Sequence, residues 1–269
     1  MIKDGHIHTP FCPHGTKDTL EEYVEKALSL GFREISFTEH APLPKGFHDP
    51  TPQKDSSMRI NELGFYFEEI SRIKSIYDGR IKINTGLEVD YIEGFEHEIK
   101  NFLNQYGSYL DDSILSVHFL KYRGQYDCLD YSPKGFGQML AAYGTSEAIY
   151  RTYFNTLLQS IYSDLGPYKP TRIGHITLVK KFQKKFPVKR EFTKEIMEVL
   201  TAIKASEYEI DYNGAGFSKP LCKEAYPPEW VAAEASKMGI KLVYGSDAHQ
   251  SKELGQGLSM MTLEGDPLI

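Results

Sequence analysis

Two histidines near the start of the chain, His6 and His8, constrain its fold more than any other feature. They lie in residues 2–9, which predict a β-strand, and side chains two residues apart along a strand point to the same face. The loop predicted after this strand is rich in proline and glycine and carries a third imidazole, His14. Because neutral imidazole is the commonest metal ligand, this segment predicts the start of a metal site.

Segments with the pattern of strands alternate with segments of helical periodicity along the rest of the chain, which predicts parallel βα units. The seven predicted strands are residues 2–9, 34–40, 81–91, 113–119, 172–176, 208–216 and 241–249. Two stretches without periodicity, residues 41–57 and 121–137, predict loops on the side of the site. We therefore expect an α/β fold, a TIM-like barrel formed by residues 1–269 as a single domain.

Six of the seven predicted strands supply, at or near their C-terminal ends, a side chain that can bind metal ions. With His14 from the first loop, the candidate ligands are His6, His8, His14, His40, Glu88, His118, His175, Asp247 and His249. Functional residues of such barrels lie at the C-terminal ends of the strands, so these side chains should converge. One tetrahedral zinc takes about four ligands, and this larger set predicts two or three divalent ions if a carboxylate bridges. Zinc, iron and manganese suit the donors equally.

The composition argues against several other classes of protein. A formal charge of −6 and a pI near 5.9 provide no general basic field for nucleic acid. The cysteines Cys12, Cys128 and Cys222 form no Cys-x-x-Cys pair, which favours reduced thiols in a cytoplasmic protein, with Cys12 a bystander of the metal site. No signal peptide or apolar run of about 18 residues is present, so we expect no membrane association.

The ligand motifs resemble those of the polymerase and histidinol phosphatase (PHP) family over nearly the whole chain. These motifs are His6-x-His8, His14, Thr38-Glu39-His40, Gly86-Leu87-Glu88, Ser116-Val117-His118, Gly174-His175 and Gly245-Ser246-Asp247-x-His249. Five longer segments resemble the histidinol-phosphate phosphatase branch of that family. They are Asp4-Gly5-His6, Glu39-His40-Ala41-Pro42, Glu88-Val89-Asp90-Tyr91, Ser116-Val117-His118-Phe119 and Tyr226-Pro227-Pro228. The resemblance implies a distorted TIM-like (βα)7 barrel with the metal site at the C-terminal ends of its strands. It also implies a metal-dependent phosphomonoesterase that hydrolyses L-histidinol phosphate to L-histidinol and phosphate in histidine biosynthesis.

The resemblance further implies how the ligands divide among the metals. The sets are His6, His8, Glu88 and Asp247 for one metal, Glu88, His118 and His175 for a second, and His14, His40 and His249 for a third. Glu88 would bridge the first pair, and a hydroxide shared by that pair would attack phosphorus. Asp247 would accept or return a proton, a role open to His249 if the third metal were missing.

Phosphate requires positive charge beyond the metals. Lys181 and Lys219 follow predicted site strands in strand-to-helix loops, and each is a candidate phosphate contact, as is Arg59 in the long loop. The alternative for the lysine-rich segment 180–185 is a solvated helix start.

The histidinol moiety carries an ammonium group and an imidazole, which require carboxylate or aromatic partners. The sequence offers Asp90, Tyr91 and the middle of the long loop, with Phe47, His48 and Asp49. The four prolines at positions 42, 44, 50 and 52 limit the backbone freedom of that loop. It is therefore a candidate specificity element, with a simple exposed connection as the alternative.

Three other functions compete with this interpretation. A phosphoesterase acting on nucleotides or another small phosphoester fits the same ligands, although the acidic balance and the lack of a basic aromatic groove argue against nucleotides. An amidohydrolase-type barrel usually has a bridging lysine, which no predicted site strand supplies. A non-catalytic metal-binding module should be coordinatively closed. We expect a small-molecule phosphoester as the partner, while the oligomeric state is open.

Overall fold

Parallel strands alternate with helices in the three-dimensional structure, a computed structural model that describes residues 3–261. The strands are β1 (Lys3–Ile7), β2 (Glu34–His40), β3 (Lys82–Asp90), β4 (Ile114–Ser116), β5 (Phe119–Tyr122), β6 (Gln125–Cys128), β7 (Arg172–Ile173), β8 (Glu209–Asn213) and β9 (Leu242–Gly245). The helices are α1 (Leu20–Ser29), α2 (Leu63–Ile76), α3 (Glu96–Tyr106), α4 (Pro133–Tyr143), α5 (Ser146–Tyr162), α6 (Thr193–Ala205), α7 (Ala215–Ser218) and α8 (Glu229–Lys237). None of the helices within residues 3–261 has the length and apolar character required to cross a membrane.

Seven of the strands form one parallel sheet in the order β1-β2-β3-β4-β7-β8-β9. Its two outer strands meet at their C-terminal ends, where the amide of His8 donates to the carbonyl of Ala248 over 3.0 Å. The amide of Asp247 donates to the carbonyl of His6 over 2.7 Å. The sheet therefore curls into a nearly closed barrel, and the α/β, TIM-like prediction with seven barrel strands is confirmed. The assignment of a single domain stays a prediction.

The loop that carries His14 leads into helix α1, which begins with a capping sequence. The hydroxyl of Thr19 accepts from the amide of Glu22 over 3.3 Å, and the Glu22 carboxylate accepts from the amide of Thr19 over 2.6 Å. This reciprocal capping satisfies amides that the first helical turn leaves free. Leu20, Tyr23 and other apolar residues of α1 then pack against the barrel. The end of the His14 loop is therefore held in one position.

The predicted loop over residues 121–137 is wrong. It contains most of an antiparallel hairpin, in which β5 pairs with β6, and the first residues of helix α4. The hairpin turns through Arg123 and Gly124, which have φ angles of 49° and 80°. Two successive left-handed residues are typical of a tight hairpin turn. The predicted strands 113–119 and 172–176 also extend beyond the observed β4 and β7.

A network of charged side chains fills the N-terminal end of the barrel, opposite the ligand-bearing end. The guanidinium of buried Arg172 donates to the carbonyl of Gly5 over 2.8 Å and to the carboxylate of Asp112 over 3.0 Å. The same carboxylate accepts from Lys3 over 2.9 Å and from Ser36 over 2.6 Å. Apolar side chains of strands and helices pack around the barrel. The N-terminal end of the barrel is therefore closed, and ligands enter from its C-terminal end.

Candidate metal centre

The nine predicted metal ligands lie together at the C-terminal ends of the barrel strands. Seven of them line a cavity of about 610 Å³: His14, His40, Glu88, His118, His175, Asp247 and His249. His6 and His8 are fully buried beneath it, with their ring centroids 5.3 Å apart. Strand β1 places both rings on one face, as the two-residue spacing predicts. The cavity has the size of a small-molecule site.

Glu88, from β3, lies at the middle of the cluster with each carboxylate oxygen facing a different group of imidazoles. Around Oε2 lie His40 Nδ1 at 3.0 Å, His6 Nε2 at 3.4 Å and His8 Nε2 at 3.6 Å. Around Oε1 lie His175 Nε2 at 2.9 Å and His118 Nε2 at 3.6 Å. The hydroxyl of Ser116 donates to Oε1 over 2.6 Å and fixes the rotation of the carboxylate. A carboxylate in this position can contact two cations at once.

Asp247 closes the first of these groups from the other side. Its Oδ1 lies 3.1 Å from His8 Nε2 and 3.7 Å from His6 Nε2. Its φ angle of 52° is in the left-handed region, which is uncommon for residues other than glycine and is often found at functional sites. The side-chain amide of Asn213 donates to Oδ2 over 3.2 Å and so helps to hold this conformation.

The remaining imidazoles form a looser group at the mouth of the cavity. His14 Nε2 and His249 Nε2 face each other at 3.1 Å, whereas the His40 ring centroid lies 5.2 Å and 5.8 Å from those of His14 and His249. The sulfur of buried Cys12 lies within 4.8 Å of donor nitrogens of His8, His40 and His249. Burial raises the pKa of the Cys12 thiol. This cysteine is therefore next to the site, although the thiol form disfavours ligation.

Buried carboxylates hold three of the imidazoles in place. Each accepts a hydrogen bond from Nδ1: Asp211 from His6 over 2.9 Å, Glu39 from His8 over 3.2 Å and Asp90 from His118 over 2.7 Å. Such pairs fix the tautomer of a ligand histidine and turn its Nε2 toward the metal. Asp211 and Glu39 were missed, although a charged residue inside a buried strand was an available signal. Asp90 lines the cavity and its carboxylate contacts His118, so it supports a ligand, while its assignment as a substrate contact stays a prediction.

The electrostatics of the cluster favour positive charge. Burial alone would raise the pKa of Glu88, but the positive charge of His6 and His118 holds this pKa well below its usual range. Burial would likewise lower the pKa of His8, yet its hydrogen bonds to Asp247 and Glu39 raise it to about 9. Glu88 is thus ionised at neutral pH, and its negative charge suits a cation site.

Unpartnered nitrogens test whether the donors suit metal ions. His6 Nε2 and His40 Nδ1 are buried without a hydrogen-bond partner among the described residues. A buried polar atom without a partner costs about 1–3 kcal/mol, and a cation at the centre would satisfy both. Two donor groups, His6 with His8 and Asp247, and Glu88 with His118 and His175, each have their ligand atoms within 4.8 Å of one another. The donor set therefore fits borderline divalent metals.

The two predicted phosphate lysines both line the cavity. Lys181 forms an ion pair of 2.7 Å with Asp130, a buried partner that sequence reasoning missed. Burial by itself would lower the pKa of Lys181, but Asp130 raises it. Lys219 has no ion-pair or side-chain hydrogen-bond partner among the residues that the structure describes. Lys219 is therefore available to an anion, while Lys181 must share its charge with Asp130.

The other predicted substrate contacts lie away from the cavity. Arg59 and His48 are exposed and do not line it. Tyr91 is buried, and its hydroxyl donates to Glu96 over 2.7 Å. These placements correct the three assignments: the first two side chains point to solvent, and the third is engaged by helix α3.

The middle of the long loop is occupied by structural contacts. Phe47 packs edge-on against Phe95 and Phe119, with ring centroids 5.3 Å and 5.1 Å away. The Asp49 carboxylate accepts from the amide of Thr51 over 2.7 Å and from the hydroxyl of Ser56 over 2.7 Å. Neither side chain lines the cavity. An apolar ring has more to gain from the core than from water, so the predicted aromatic face points inward.

Replacing Asp90 by asparagine should weaken metal binding by about 10- to 100-fold, the usual cost of losing a partner of a ligand histidine. An amide lacks the charge that fixes Nδ1 of His118 as the donor, so Nε2 is no longer held ready for a metal. Metal titration followed by elemental analysis measures the effect. Tyr91→Phe is the control, because it removes a neighbouring hydrogen bond outside the cavity. Equal metal affinity of the two variants would contradict this role of Asp90.

Comparison with known proteins agrees with this geometry. The PHP domain family matches residues 4–215. A histidinol-phosphatase of Bacillus subtilis is 51% identical over 255 residues, which cover 94% of this chain and 95% of that protein. A crystal structure from Listeria monocytogenes, of a protein to which histidinol phosphatase activity is ascribed, is 40% identical with a TM-score of 0.91 and covers 97% of this chain and all of that one.

A second crystal structure resembles this barrel at lower identity. It is the histidinol phosphate phosphatase of Lactococcus lactis in complex with zinc, L-histidinol and phosphate. It is 22% identical, with a TM-score of 0.67, and covers 93% of this chain and 87% of that one. At this identity the likeness supports the fold.

Proposed function

This chain belongs to the PHP domain family, and on that premise we propose that it hydrolyses L-histidinol phosphate to L-histidinol and phosphate with the help of bound divalent metals. The observation that carries the catalytic part is the position of Glu88, whose two oxygens face two separate groups of imidazoles. The choice of substrate is supported by the 51% identity to the Bacillus subtilis histidinol-phosphatase over almost the entire length of both chains. Histidine biosynthesis is the process to which this reaction belongs.

The metals would be two or three ions of zinc, iron or manganese. His6, His8, Glu88 and Asp247 would hold one ion, and Glu88, His118 and His175 a second. His14, His40 and His249 would hold a third, more exposed ion. When bound, such ions lower the pKa of water toward neutrality and offset charge on the phosphoryl oxygens.

The protein's own side chains orient the central carboxylate and transfer protons. Ser116 holds the Glu88 carboxylate in one rotation through its 2.6 Å hydrogen bond. Asp247 is partly open to the cavity, so its carboxylate can accept a proton from the nucleophile or return it to the departing alkoxide. His249, whose Nδ1 lies 3.6 Å from Asp247 Oδ1, would take over that task if the third ion were missing.

The phosphate would be bound on the side of the cavity formed by the loops after β7 and β8. Lys219 lines this side without a partner of its own, and Lys181 adds positive charge although it is paired with Asp130. A lysine ammonium is a flexible point charge suited to phosphate. The metals and these lysines together would bind the non-bridging oxygens of the phosphate, and Arg59 is not among the residues that line the cavity.

A substrate panel tests the proposal. Metal-loaded protein should release phosphate from L-histidinol phosphate with a kcat/KM at least about a hundredfold higher than from nucleotides or from an aryl phosphate. Equal or better activity on a nucleotide would favour the alternative, a PHP-family nucleotide phosphoesterase. Release from none of the phosphoesters by protein with its metals bound would favour a non-catalytic metal-binding module.

A further inference from the structure

One of the carboxylates that line the cavity has a buried oxygen without a hydrogen-bond partner among the described residues. Asp55, from the long loop between β2 and α2, lines the cavity, and its Oδ1 is buried without a hydrogen-bond partner among the described residues. The other carboxylates that line the cavity within residues 3–261 have hydrogen-bond or ion-pair partners. Their partners include imidazoles for Glu88, Asp90 and Asp247, Lys181 for Asp130, and the His249 amide for Glu253.

The loop is fixed at Asp55 to the metal centre. The carbonyl of Asp55 accepts a hydrogen bond from His14 Nδ1 over 2.7 Å. The next residue, Ser56, also lines the cavity and is tied to Asp49 within the loop by bonds of 2.7 Å and 3.1 Å. Because the Asp55 carbonyl and the following residue are held in this way, its carboxylate has a defined position at the cavity wall.

An aromatic ring lies beside this carboxylate. Tyr131 lines the cavity with 38% of its surface exposed, from the loop between β6 and α4. Tyr131 and Asp55 line the same cavity, and burial, the negative charge of Asp55 and a hydrogen bond to its carboxylate raise the pKa of the Tyr131 hydroxyl. A carboxylate next to an aromatic face is a suitable environment for an ammonium or an imidazolium group.

The unpaired charges of the cavity match the two ends of the substrate. Lys219 is the cavity lysine without a partner in the described part of the chain, and Asp55 is the carboxylate with an unsatisfied oxygen. Histidinol phosphate has an anionic phosphate at one end and a cationic amine and imidazole at the other. We propose that Asp55, with Tyr131 beside it, binds the cationic end and thereby selects the histidinol moiety. This inference rests on the proposed function and assigns its specificity to one loop residue.

Product inhibition separates the two ends of the substrate. Replacing Asp55 by asparagine should raise the inhibition constant for L-histidinol about tenfold or more, the size expected for a charge-assisted hydrogen bond. The constant for inorganic phosphate should change much less. Lys219→Met should show the reverse pattern. For Asp55→Asn, the ratio of kcat/KM on histidinol phosphate to that on an aryl phosphate should also fall about tenfold, with the metal content equal to that of the parent.

Two further variants serve as controls. Glu68→Gln removes one negative charge from an exposed position of helix α2 and should leave the substrate ratio of the parent intact. Asp49→Asn replaces one of the two carboxylate oxygens that accept hydrogen bonds within the loop by a donor and should lower activity on both substrates together. If Asp55→Asn keeps the parent's substrate ratio and histidinol inhibition, or loses metal, the assignment is wrong. A parent protein without activity on histidinol phosphate would overturn the proposed function itself.

Discussion

Replacing Glu88 by glutamine should lower kcat on histidinol phosphate at least about a hundredfold, the loss found when one main electrostatic stabiliser of a transition state is removed. The charge of this buried carboxylate lies between imidazoles at 2.9–3.6 Å on both of its oxygens. A neutral amide has one oxygen and one nitrogen donor, so it cannot bridge two cations. The variant should therefore bind fewer metals per chain, and the loss should appear in kcat rather than in KM alone.

A buried carboxylate at the other end of the barrel separates this effect from a general loss of stability. Asp112→Asn removes the charge that holds Arg172 and Lys3. We expect that variant to melt at a lower temperature while its folded fraction keeps its metals and its turnover. Activity of Glu88→Gln within tenfold of the parent, with a full metal complement, would exclude the bridging role.

Replacing Gly245 by alanine should be strongly damaging, although this residue carries no chemistry of its own. A methyl group there would lie 2.3 Å from Asp211 Oδ1 and 2.6 Å from His6 Cβ. Asp211 and His6 are hydrogen-bonded to each other and fully buried, so neither can move aside without disturbing the first ligand of the centre. Overpacking of this kind costs about 1–3 kcal/mol of unfolding free energy. Activity should fall at least about tenfold, as for loss of a ligand's partner.

Gly64 provides the matched control. It lies in helix α2, and an added methyl group would meet no atom within 4 Å. Gly64→Ala should be neutral or stabilise the protein by up to about 1 kcal/mol, since alanine is the better helix former. Thermal melting and turnover of the two variants should differ clearly. Indistinguishable values would mean that the barrel accommodates a methyl group at Gly245 and that activity does not depend on the position of Asp211.

The features of the fold that could be predicted are those encoded over short distances. Strand β2 has the predicted limits, residues 34–40, and the capping pair Thr19 and Glu22 lies where the local pattern places it. The hairpin β5–β6 was missed because its alternation is weak and its turn uses Arg123, a residue not typical of positive φ. Strand β7 is only two residues long, since the chain bends at His175, whose φ angle is positive.

The ligands could be predicted because each is a metal-binding residue type near a strand end. Which carboxylate supports which ligand could not be predicted, because these contacts join distant parts of the chain. Asp211 and His6 are 205 residues apart, and their contact exists only when β8 and β1 meet inside the barrel. The contacts to the histidinol moiety, which stay predictions, are hard to assign from sequence for a related reason. The direction of a loop side chain is decided by packing, which turned Phe47 inward and Asp55 toward the cavity.

The central claim is that a carboxylate-bridged group of metals performs the reaction, and metal counting during reconstitution tests it most directly. Metal-free protein would be titrated with zinc or manganese, and each sample assayed for bound metal by elemental analysis and for phosphate release from histidinol phosphate. We expect little activity at one metal per chain, a steep rise as the second ion binds, and two or three ions at full activity. Full activity with at most one metal per chain would contradict the account.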